Sequence, residues 1–85
     1  MKLKQIGSNM TELHLSDINR TIVLFSYETP VAACTDSIPG TWVRTEQFHS
    51  AATSKHINKW LQDLNVLDVT AARPQDYFDR LVNGL

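Results

Sequence analysis

The chain has 85 residues, enough for one domain, and eight basic against nine acidic residues leave a formal charge of −1. That balance lacks the positive excess from which a sequence-independent nucleic-acid binder draws its affinity, and equally the strong acidity of a protein that mimics DNA. Cys34, the single cysteine, excludes an internal disulfide and a zinc site of several thiolates.

The opening Met1-Lys2-Leu3-Lys4-Gln5 lacks the apolar core of a signal peptide, and no apolar run approaches the roughly 20 residues of a membrane span. A cytoplasmic location is expected. Leu3 to Ile6 is a first short strand, ended by the turn-forming Gly7-Ser8-Asn9. Met10 to Leu15 alternates, with Leu13 and Leu15 on one face and Glu12 and His14 on the other. Ser16-Asp17-Ile18-Asn19 reads as a polar connector. Thr21 to Tyr27 is β-branched, aromatic and almost continuously apolar, the pattern of a central strand covered on at least one face.

Pro30 cannot donate to a ladder, so it marks a turn or the start of a strand, with Val31 to Cys34 as the strand that follows. In that run Cys34 behaves as a small buried hydrophobe. Thr35 to Gly40 is a polar loop, and Thr41 to Arg44 a last short strand carrying Trp42. Four to five strands on short connections predict an antiparallel meander, because parallel pairing needs long crossovers. The period then changes. Ile57, Trp60, Leu61 and Leu64 form the stripe of an amphipathic helix over 54–64, with Thr53 or Ser54 as its N-cap and Lys55, Asn58, Lys59, Gln62 and Asp63 outside. Val66 to Val69 is a packed linker or a small strand. A second helix over 74–83 starts at Pro74, buries Phe78, Leu81, Val82 and Leu85, and stops at Gly84. The expected fold is α+β: one domain over residues 1–85, a small antiparallel sheet with two C-terminal helices on one face, and Trp60 and Phe78 filling the gap between them.

The densest polar cluster runs from Glu46 to His56, immediately before and within the first helical turn. A metal site would need His49 and His56 with Asp36 or Glu46. Were both histidines helical, seven residues would separate them by about 10.5 Å, too far for one zinc; only a loop conformation at His49 would rescue the idea, and no metal site is expected. Ser50, Ser54 or Cys34 beside His49 or His56 offers the ingredients of nucleophilic catalysis, but no Gly-x-Ser-x-Gly elbow accompanies them and no catalytic residue is assigned. Thr53, Ser54 and Lys55 at a helix start can hold an anion or an acidic side chain of a partner, and Thr and Ser are also ordinary caps. Lys55 and Lys59, one turn apart and flanked by His56, form a small basic ridge that Arg44 could extend, or simply a solvated helix face.

Ser26-Tyr27-Glu28-Thr29-Pro30-Val31-Ala32-Ala33 and Thr53-Ser54-Lys55-His56-Ile57-Asn58-Lys59-Trp60-Leu61, together with the opening Met1 to Thr11 and the Pro74-Gln75 helix start, resemble a family of small bacteriophage-encoded proteins of unknown function. The resemblance covers most of the chain and departs from the family between Cys34 and Gly40, where the loop is longer and more polar. It implies a phage or prophage origin and a role in the cytoplasm of an infected bacterial cell, but no activity. By class analogy, small phage accessory proteins bind and block host proteins, defence nucleases among them.

The expected function is therefore a non-enzymatic protein-binding module, an inhibitor or modulator of a host defence protein. It needs no cofactor. The expected partner is a host or phage protein, or a second copy of the chain docked through a sheet edge or helix face. The alternative is a nucleic-acid-binding module using Lys55, Lys59, Arg44 and His56. A small enzyme or ligand-binding domain using His49, Ser54 and His56 stands third.

Overall fold

The computed structural model describes residues 2–14, 21–35 and 41–83. Six strands form one sheet in the order of the chain: β1 (Lys2–Gly7), β2 (Met10–His14), β3 (Ile22–Ser26), β4 (Thr29–Thr35), β5 (Thr41–Thr45) and β6 (Ala71–Arg73). The first five pair antiparallel, as short connections require. The predicted connector at 16–19, residues 36–40 of the predicted Thr35–Gly40 loop and the stop at 84–85 lie outside the described residues, while Thr35 itself closes β4.

The sixth strand corrects the expectation of a purely antiparallel sheet of four to five strands. It pairs parallel to β5, with Val43, Arg44 and Thr45 opposite Ala71, Ala72 and Arg73. The long crossover that parallel pairing needs is supplied by α1 (Ala51–Asp63) and a single 3-10 turn, Leu67–Val69. Three residues, two of them alanine, are too few to register as a strand in sequence. The Val66 to Val69 segment is thus the 3-10 turn and its lead-in rather than a strand.

α1 starts earlier than predicted. Its N-cap is Ser50, in extended backbone (φ −167°, ψ 165°), whose hydroxyl accepts the Thr53 N–H at 3.1 Å. Thr53 is thereby an interior residue of the first turn and not the cap. The helix ends in a Schellman turn. Asn65 takes φ 59°, its N–H bonds Gln62 O and the Val66 N–H bonds Leu61 O, each at 3.0 Å. This turn swings Leu64 outward (43 % exposed) and brings Val66 against the core in its place.

The two helices lie on opposite faces of the sheet, which corrects the expectation that both cover one face. Ile57, Trp60 and Leu61 of α1 pack with Met10, Leu24, Val31 and Ala32. Phe78 of α2 (Gln75–Asn83) packs with Leu13, Val23, Ala33 and Val43. Neighbouring residues of one strand, Val23 and Leu24, therefore enter different cores, and both are fully buried. A strand covered on both faces reads as continuously apolar, which explains Ile22-Val23-Leu24-Phe25 and Val31-Ala32-Ala33-Cys34. Trp60 and Phe78 fill two separate interlayer spaces rather than one. Strand alternation breaks once in β4, where the register shifts between Leu24 and Phe25 and lets Val31 and Ala32 join the same core.

Candidate functional site

Because β5 and β6 run parallel, their C-terminal ends share one end of the sheet with the β3–β4 turn and the starts of both helices. Among the described residues, two hydrogen-bonded polar clusters lie there, on opposite faces of the sheet.

On the α1 face, the Ser26 hydroxyl donates to Thr53 Oγ1 at 3.0 Å, and Ser50 donates to the same oxygen at 3.1 Å. Ser26 Oγ also meets His56 Nδ1 at 2.7 Å. The Nδ1 contact extends the Ser26–Thr53 pair to the imidazole, with the proton's position set by the His56 tautomer. Ser26 and Thr53 are 1 % and 5 % exposed, and burial at that depth requires such pairing. The His56 ring lies 5.7 Å from that of Tyr27, an exposed residue held at φ 58° in the β3–β4 turn. A buried hydroxyl cannot reach a substrate, so the cluster acts as a brace joining α1 to β3.

On the α2 face, Gln75 uses every hydrogen-bonding position of its carboxamide. Its Oε1 accepts from Thr45 Oγ1 and His49 Nε2, each at 2.8 Å, and its Nε2 donates to Pro30 O at 2.7 Å and Asp79 Oδ1 at 3.2 Å. One side chain thereby ties the start of α2 to β4, β5 and the segment leading into α1. A third contact lies further along the sheet, where Trp60 Nε1 donates to Glu12 Oε2 at 2.7 Å and His14 Nε2 meets the other carboxylate oxygen at 3.1 Å.

The predicted site residues separate into two groups. Thr53 and His56 are brought together through Ser26, whereas Ser54 takes the first helical hydrogen bond, from its N–H to Ser50 O at 3.0 Å. Lys55 is exposed, and Lys59 sits 3.7 Å from Asp63 one turn on. Arg44 points at α1 from the sheet and donates to Asn58 Oδ1 at 3.0 Å. His49 and His56 turn to different partners, and among the described residues no group of three or more His, Cys, Asp or Glu is arranged to hold a metal ion; Asp36 lies outside those residues. Nothing in the sequence signals that Ser26 and Gln75 join these clusters, because the partners they reach lie 26 to 45 residues away.

The segment between β5 and α1 is held on both sides. Glu46 N–H bonds Arg73 O at 2.9 Å, Gln47 N–H bonds Thr45 Oγ1 at 3.2 Å, His49 bonds Gln75, and Ser50 caps the helix. Between them Phe48 is left 72 % exposed. Among the described residues no helix is long and apolar enough to cross a membrane. The family described as of unknown function, DUF8033, matches residues 1–80. No curated protein and no solved structure matches the chain.

Proposed function

Since the chain belongs to the DUF8033 family of unknown function, we propose from its own residues that it is a non-enzymatic protein-binding module, a phage or prophage accessory protein that inhibits or modulates a host defence protein in the cytoplasm of the infected cell. The phage setting rests on the resemblance of the Ser26–Ala33 and Thr53–Leu61 segments. Phe48 carries the binding reading. It is an aromatic side chain 72 % exposed on a backbone whose neighbours are all tied down. Aromatic anchors dominate interface energetics, and a segment that is already ordered costs little further entropy on binding.

The test is capture of a protein from bacterial lysate by the wild-type chain and its loss with Phe48→Ala. Phe48 packs against no core, so the variant should keep the wild-type unfolding midpoint while losing at least about tenfold in affinity, or about 1.4 kcal/mol. Equal capture by both chains, or no protein enriched over a control resin, would remove the support for this reading.

A further inference from the structure

We infer that the groove between the two hairpin turns is a binding site for a neutral polyhydroxylated ligand of the saccharide class. The groove, about 590 Å³, is lined by Gln5, Asn9, Thr11, Tyr27, Glu28 and Thr29, and sites for small ligands span about 300–1,000 Å³. Its walls come from β1, the β1–β2 turn, β2, the β3–β4 turn and β4, so three strands and two hairpin turns of the sheet position it.

Three observations select the ligand class. First, the lining holds two carboxamides, two threonine hydroxyls, one carboxylate and one aromatic ring, and no lysine or arginine. An anion would meet the Glu28 carboxylate with no cation to offset it, and an apolar ligand would strand the polar groups without partners. Vicinal hydroxyls, which both donate and accept, match carboxamides, hydroxyls and a carboxylate together.

Second, among the described residues the side chains of Asn9, Thr11, Glu28 and Thr29 make no hydrogen bond to the protein. This contrasts with the Ser26–Thr53–His56 and Gln75 clusters at the same end of the sheet, whose groups satisfy one another. Third, the rim is preorganised. Asn9 (φ 60°) and Tyr27 (φ 58°) both sit in the left-handed region and are joined by the Tyr27 N–H to Asn9 O bond at 2.7 Å. A tyrosine seldom adopts that conformation, and the bond fixes it with 52 % of the residue exposed beside the groove.

The test is an NMR titration of the isotope-labelled full chain with glucose, galactose, mannose, N-acetylglucosamine and their disaccharides, with inorganic phosphate as the anionic control. At least one sugar should give saturable shifts at the Asn9, Thr11, Glu28 and Thr29 amides. Thr11→Val and Glu28→Ala should each weaken that binding about tenfold, while Phe48→Ala leaves it unchanged, which separates this site from the protein-binding reading. Absence of saturable shifts with every sugar, shifts confined to other residues, or a stronger response of the same amides to phosphate would each overturn the inference.

Discussion

At the scale of single residues, the side chains that matter most are those whose removal leaves a buried partner unpaired. Ser26 is 1 % exposed and links Thr53 to His56. In Ser26→Ala, Thr53 keeps its bond from Ser50, but His56 Nδ1 loses its hydrogen-bond partner in a half-buried position. The expected loss is about 1–2 kcal/mol in urea unfolding, and a loss under a few tenths would show that the brace contributes nothing to stability. Asn65 raises a different question, because it acts through backbone conformation. It holds the left-handed position that ends α1, with φ 59°. Asn65→Ala should cost about 1 kcal/mol because a Cβ without a local hydrogen-bonding group disfavours that region, and Asn65→Gly should cost nothing. An alanine variant as stable as the glycine one would sink the account.

At the scale of elements, α2 is the most dependent. Nine residues are too few to be a stable helix in water, so it persists through Phe78 on the sheet and Gln75 on β4 and β5. Gln75→Ala removes the side chain that joins Thr45, His49 and Pro30 O. Hydrogen exchange in α2 should then accelerate by at least about tenfold relative to β3, reflecting local opening. Uniform acceleration across both elements would instead mean a global loss of stability. α1 is more self-sufficient, with thirteen residues, a serine cap and a Schellman end. Its exposed Lys59–Asp63 pair matters little, since an i,i+4 pair on a wet surface is worth about 0.3–0.5 kcal/mol.

At the scale of the whole molecule, two cores share one sheet, and the sharing makes them a single cooperative unit. Val23 and Leu24 are adjacent in β3, yet one packs under α2 and the other under α1. Loss of either layer therefore exposes a strand that the other layer needs. Phe78→Ala should cost about 3–5 kcal/mol, although it lies on the face opposite Trp60. The check is whether tryptophan fluorescence, which reports Trp60 and its edge-on neighbour Trp42 at 5.7 Å, shifts together with far-UV circular dichroism. A fluorescence transition left at the wild-type midpoint would mean that the α1 face unfolds independently.

The sequence by itself determined most of the elements: four to five strands from β-branched and turn residues, α1 from the Ile57–Trp60–Leu61–Leu64 stripe, and α2 from Pro74 and Phe78. These depend on neighbours a few positions apart, and local periodicity records them. It also marked β3 as a central strand covered on at least one face, through its unbroken apolar run. Only the tertiary structure decided that the helices take opposite faces, that Ala71–Arg73 adds a parallel strand, and that Ser26 and Gln75 complete the polar clusters at the helix starts. Each of these is a contact between residues far apart in the chain, and such contacts follow from how the layers close over the sheet rather than from any spacing along it.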